Sequence, residues 1–124
     1  VNEQDSSDAL HLRYILESIE RIQEYTTGGE AEFMDSRMIQ DAVIRNLQTL
    51  AESTQRLSGD IKATKAEIPW ERIAGLRNRL VHEYFRISLP QTWAVVSQDV
   101  EHLQQAIEQM MGVLDVRASR KLSE

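Results

Sequence analysis

The chain has 124 residues, the size of one domain built on a single core. With 41% hydrophobic and 27% charged residues it reads as globular and soluble, and no apolar run approaches the roughly 20 residues that a bilayer-spanning helix needs. The absence of cysteine excludes disulfides, zinc–thiolate sites and thiol catalysis, and a net charge of −6 argues against a surface that coats nucleic acid as a whole.

The opening stretch, VNEQDSSDAL, is polar and has the character of neither a signal nor a transit peptide. It begins with Val1 rather than Met, which leaves room for upstream residues or processing. Lack of cysteine and of targeting signals together point to the cytoplasm, with no membrane partner. The first periodic segment is ALHLRYILESIERIQEYT. Leu12, Ile15, Leu16, Ile19 and Ile22 recur at helical spacing, with Ser7 or Asp8 as a cap. TGGE ends that helix, because paired glycines supply a C-cap and a turn.

A second helix is predicted from about Asp35 to Leu57, striped by Met38, Ile39, Ala42, Val43, Leu47, Leu50 and Leu57. The connector DIKATKAEI has room for one short helical turn. Pro69 opens a third helix, where its fixed φ and missing N–H cost least, and that helix is predicted to run to about Arg86. Pro90 starts a fourth. Its apolar residues Trp93, Val96, Val100, Leu103, Ile107, Met110 and Leu114 alternate steps of three and four, the seam of a bundle helix. The tail from residue 117 to 124, RASRKLSE, is expected to fray. The expected fold is therefore all-α. It is an antiparallel bundle of four main helices with room for a short fifth, in a single domain over residues 1–124. A bundle by itself decides nothing about activity.

The third helix carries an anomaly. An α-helix advances about 100° per residue. With Ile73 at zero, Leu76, Leu80, Tyr84 and Ile87 cluster around it, and Trp70, Ala74, Val81 and Phe85 extend the apolar arc to one side. Arg77 falls inside that arc, roughly 40° from its centre. An unpaired buried charge is costly, so Arg77 must be paired, reach water or line a cleft. Pairing with a helix-two carboxylate such as Glu52 makes it structural. Standing at the mouth of a cleft makes it a phosphate-binding group, a role its planar, permanent charge suits.

His82 is open to two readings in the same way, as a solvated histidine or as a proton-transfer group that titrates near neutrality. His11 and His102 read as solvated. Arg72, Arg77, Arg79 and Arg86 lie close together, opposed by only Glu71 and Glu83. That run is either a solvated helix face or a local basic patch. A base (His82), a cation (Arg77) and an amide (Asn78) suffice to split an RNA phosphodiester without a metal. The 2′-hydroxyl loses its proton and attacks the adjacent phosphorus. Five residues separate Arg77 from His82, which is roughly 140° on a straight helix. Distorted helix geometry, long side chains wrapping round, or a two-fold dimer with both copies of the helix lining one cleft would bring them together. The dimer also gives Trp70, Val81 and Phe85 something to pack against.

RNRLVHEY matches the R-x4-H pattern of HEPN-domain proteins, and its extended form R-x4-H-x-Y resembles the HepT-like toxin family. ILESIERIQEYT, DAVIRNLQTLAE, IPWERIAGLRNRLVHEYF and the later TW look like family segments in family order, so the resemblance covers most of the chain. It implies an all-α bundle that dimerises through the motif and a metal-independent ribonuclease toxin of a toxin–antitoxin pair. By resemblance Arg77 and His82 are catalytic and Asn78 supports them. The resemblance further implies that a cognate nucleotidyltransferase antitoxin, similar to MntA, transfers AMP from ATP to Tyr84. The ribonuclease itself then needs no cofactor. Arg79 and Arg86 are the expected RNA phosphate contacts, although Arg79 could exchange roles with Arg77. On the helix wheel Tyr84 also fits a core aromatic. A different class of function stays open: a non-catalytic binding module, the partner or substrate-binding half of a two-component nucleotidyltransferase.

Overall fold

The computed structural model describes residues 2–123, and among them there is no strand. Helix α1 spans Glu3–Tyr25 and starts earlier than expected, because Asn2 caps it by accepting from the Asp5 N–H at 2.7 Å. The expected caps, Ser7 and Asp8, both lie inside α1, and Asp8 is buried. It accepts from the backbone N–H of Ser58 at 2.8 Å and the Ser58 hydroxyl at 2.6 Å. Ser58 in turn caps α4 (Gly59–Ala63), the short helix of the connector, by accepting from the Ile61 N–H at 3.2 Å.

After Thr26, Gly29 takes a φ of 87°, which an L side chain rarely tolerates, and turns the chain into α2, Gly29–Asp35. The hydrophobic pattern gave no sign of this helix. It is short, and its one buried residue, Phe33, packs on Trp93 with ring centroids 5.4 Å apart. Ser36 then caps α3, Arg37–Gln55, at the Ile39 N–H.

Three bonds establish that the long helices alternate in direction. Gln23, late in α1, donates to Gln104, early in α7 (Val100–Ser123), at 2.8 Å. Asp8, early in α1, meets Ser58 just beyond the end of α3. Tyr84, just beyond α5 (Trp70–His82), reaches Asp41 at the start of α3. The core is filled by Leu12, Ile15, Ile19 and Ile22 from α1, Val43, Leu47 and Leu50 from α3, and Ile107 and Met110 from α7. The expected antiparallel all-α bundle is therefore present, with short helices set between its long ones.

Two stretches differ from expectation in ways that matter for the site. Helix α5 stops at His82 rather than Arg86: Glu83 leaves helical geometry at φ −123°, ψ 32°, and Tyr84–Arg86 form a single 3-10 turn. The fourth predicted helix is α6 (Leu89–Ala94), capped by Ser88, then a π-helical turn over Val95–Asp99, then α7. Helix α7 continues to Ser123 through the tail expected to fray. Arg117 accounts for part of this, lying 3.3 Å from Asp5 and 3.4 Å from Asp60. No helix of the described residues is long and apolar enough to cross a membrane.

Candidate active site

Helix α5 lies along α3 but buries only Leu80 fully. Arg77 is half-buried where the wheel places it. Its Nη2 stands 3.7 Å from Glu52 Oε1 on α3, the carboxylate expected from sequence, and the same oxygen accepts from Gln48 at 3.4 Å. Its Nη1 donates to Asn78 Oδ1 at 3.3 Å. Its Nε is buried without a partner. The guanidinium is therefore held at one edge by a loose ion pair and leaves a donor unsatisfied. The enclosed Nε meets an anion only if the side chain moves, and the loose pair with Glu52 opposes that movement little. Asn78 is exposed and orients Arg77 from the next position along the helix.

His82 closes α5 and is exposed, and its side chain has no hydrogen bond or ion pair among the described residues. The helix is regular α from Trp70 to His82, so distorted geometry does not bring Arg77 and His82 together. Within one chain they stay on different faces, roughly 140° apart.

The other cations are parted from Arg77. Arg79 and Arg86 line a groove of about 180 Å³ with Glu83, Ser88, Gln91 and Thr92. Arg79 also borders, with Arg72 and His102, a second cleft of about 200 Å³ floored by Leu47, Ile73, Leu76 and Leu103. On the helix Arg79 is roughly 200° from Arg77, so the two do not serve one phosphate in the same chain.

Tyr84 is not the core aromatic that a continued helix would make it. The 3-10 turn carries it outward to 41% exposure, and its hydroxyl donates to Asp41 Oδ1 at 2.8 Å. The bond to Asp41, burial and the carboxylate's charge hold its phenol above its ordinary pKa, with Arg37 opposing. Phe85 lies edge-on to it, centroids 5.7 Å apart, and is 96% exposed. Trp70, by contrast, is satisfied internally. Its indole N–H points at the carbonyls of Lys62 and Lys65, at 3.3 and 3.2 Å.

Sequence reasoning missed Asp41. It sits on the polar side of α3, 43 positions before Tyr84, and nothing local marks it. His11, read as solvated, is half-buried against Tyr14, and its Nδ1 has no partner. Among the described residues no three His, Asp or Glu side chains converge as a metal site would require.

A family model described as Ribonuclease HepT-like matches residues 15–110. A Methanocaldococcus jannaschii protein named as a gamma-glutamylcyclotransferase and candidate RNase is 37% identical over 90% of this chain, which spans only 51% of that relative's length. A second M. jannaschii protein, named as a candidate RNase, is 35% identical over 76% of this chain and 87% of its own. The probable ribonuclease HepT of Thermococcus cleftensis is 34% identical over 81% of this chain and 92% of its own. No solved structure gives a significant match. The matched span contains the whole of α5 with Arg77, Asn78 and His82, and the chain belongs to the HepT-like ribonuclease family.

Proposed function

We propose that this chain is a metal-independent endoribonuclease acting as the toxin of a toxin–antitoxin pair in the cytoplasm, switched off by AMP transfer to Tyr84 from a nucleotidyltransferase antitoxin. The observation that carries the reading is the state of Arg77, half-buried, with an unpartnered Nε, beside Asn78 and one turn and a half from an unengaged His82. Family membership supplies the substrate class.

In this mechanism the His82 imidazole takes the 2′-hydroxyl proton as the oxygen attacks the adjacent phosphorus. The P–O bond to the 5′-oxygen breaks, the leaving oxygen takes a proton from water, and a 2′,3′-cyclic phosphate remains. Arg77 faces the charge that gathers on the non-bridging oxygens, and Asn78 keeps its guanidinium in place. Because one helix cannot aim both groups at one phosphate, Arg77 of one protomer works with His82 of its partner in a two-fold dimer. Val81 and Phe85, both exposed, are the apolar contacts of that dimer. Arg79 and Arg86 hold flanking phosphates along their own groove. An AMP on Tyr84, two residues from His82, places a bulky anion against the cationic site and blocks it.

The test is cleavage of a mixed RNA pool in EDTA by wild type, Arg77→Ala and His82→Ala at matched folding. Cleavage by wild type alone is expected. An inactive wild type free of any AMP adduct would instead favour the non-catalytic binding module, with the Arg77–Glu52 pair then purely structural.

A further inference from the structure

Tyr84 and Asp41 form a contact of the motif region that neither the motif nor the bundle core requires. The tyrosine comes from the 3-10 turn after α5, the carboxylate from the first turns of α3. They meet at the surface, where a hydrogen bond contributes little to stability. The hydroxyl is the donor and the carboxylate the acceptor, at 2.8 Å. The charged groups lining the same groove are Asp35 of α2 and Arg37 and Asp41 of α3, and Arg37 and Asp41 share a face of the helix at i, i+4 spacing. The groove measures about 370 Å³ and is open to solvent along Tyr84 and Phe85.

We propose that Asp41 is the general base that makes Tyr84 a nucleophile for nucleotidyl transfer. The inference rests on Tyr84 being the AMP acceptor, as read above. Tyr84 Oη attacks the α-phosphorus of a nucleoside triphosphate supplied by the partner enzyme. As the Oη–P bond forms, the Oη proton passes along the existing hydrogen bond to Asp41 Oδ1. The bond from the α-phosphorus to the bridging oxygen breaks, and its electron pair leaves with pyrophosphate. Asp41 then returns its proton to water.

A base is needed because the phenol stays protonated at neutrality, the more so beside a carboxylate. Free phenolate is therefore scarce, and attack requires a proton acceptor already in place. Arg37 on the same groove offsets the Asp41 charge, which would otherwise repel the incoming phosphate. Asp41 lies outside the R-x4-H-x-Y motif, so an intact motif without this carboxylate would present a tyrosine that modifies slowly.

The chain carries its own control. Tyr14 is 42% exposed, against 41% for Tyr84, and has no hydrogen-bond acceptor among the described residues. The full-length chain is treated with an aryl sulfonyl fluoride bearing adenosine, whose tyrosine adduct forms by the same attack with loss of fluoride. Labelling of Tyr84 and Tyr14 is followed by peptide mass spectrometry between pH 5 and 10.

Tyr84 is expected to label about tenfold faster than Tyr14 at pH 7, with a flat profile above the carboxylate range. In Asp41→Asn the ratio falls to about one, and the Tyr84 rate then climbs with pH toward phenolate formation. Asp41→Glu restores part of the ratio, which separates loss of the base from loss of the fold. A ratio unchanged in Asp41→Asn, or a wild-type Tyr84 no faster than Tyr14, overturns the proposal. The acceptor role is read separately, from the mass of wild type isolated from cells carrying a nucleotidyltransferase partner. No adduct on Tyr84 there, with the ratio intact, defeats the switch and the transfer step with it, and leaves only the activation of the hydroxyl by Asp41.

Discussion

Arg77 and Glu52 face each other at 3.7 Å between α5 and α3, too far apart for a hydrogen bond. Their side chains are 30% and 40% exposed, so water screens the pair. A pair of this kind contributes about 0–1 kcal/mol. Glu52→Gln should therefore lower stability by less than about 1 kcal/mol in urea unfolding. Arg77→Ala should cost similarly little stability yet reduce RNA cleavage by about a hundredfold or more, because a charge-stabilising donor is lost. Equal losses of stability and activity in Arg77→Ala would mark the arginine as structural.

His82 is exposed, ends its helix and makes no polar contact among the described residues. Its substitution by Ala or Gln should leave the urea midpoint within about 0.5 kcal/mol of wild type. Cleavage should fall by about a hundredfold or more in both, since neither side chain can carry the proton. Retention of activity in His82→Gln would remove the histidine from the mechanism.

The Tyr84 phenol gives a pH signature with a definite sign. Its pKa is raised in the folded chain, chiefly by the hydrogen bond to Asp41. The protonated form is thus the one the fold favours. The resulting stability is complete below the ordinary phenol pKa of about 10 and is lost as pH rises through the raised value. Absorbance titration of tyrosinate should show a tyrosine that ionises above the ordinary phenol range. Asp41→Asn should bring that tyrosine down and remove the alkaline loss of stability it causes. A late tyrosine that persists in Asp41→Asn would contradict the stated cause.

Phe85 is almost entirely exposed, and the exposed Val81 lies four positions before it. Phe85→Asp should leave the monomer's helix content intact and shift sedimentation toward the monomer by about tenfold or more in dissociation constant. Cleavage should fall with the dimer if each site draws on both copies. An active monomer would break the cross-protomer arrangement of Arg77 and His82.

Asp8 is buried and satisfies both the N–H and the hydroxyl of Ser58. Asp8→Ala should cost about 1–3 kcal/mol in urea unfolding, from partly buried donors left unpaired and the loosened start of α4. RNA cleavage at a temperature where the variant is folded should be unchanged, because Asp8 and Ser58 make no bond to Arg77, Asn78 or His82.

Much of the architecture was legible because the bundle follows from local rules. Leu12, Ile15, Ile19 and Ile22 fall on one side of any helix containing them, and burial of that side is the largest favourable term. Pro69 and Pro90 marked helix starts for equally local reasons. Helix α2 was not legible, since seven residues with one buried Phe33 carry too little periodicity to register. The early stop of α5 was also hidden. LVHEYF continues a helical apolar pattern without glycine or proline, and only the packing of the following turn shows that the helix has ended.

The sequence by itself determined the fold class, the family, and the chemistry available at Arg77, Asn78 and His82. Those properties belong to side-chain type and short-range spacing, which a linear chain displays. Only the tertiary structure decided that Tyr84 faces outward, that Asp41 holds its hydroxyl, and that Arg79 and Arg86 occupy a groove apart from Arg77. These depend on where α5 ends and on which surface of α3 it meets. Such contacts join residues some forty positions apart, and no local pattern encodes them.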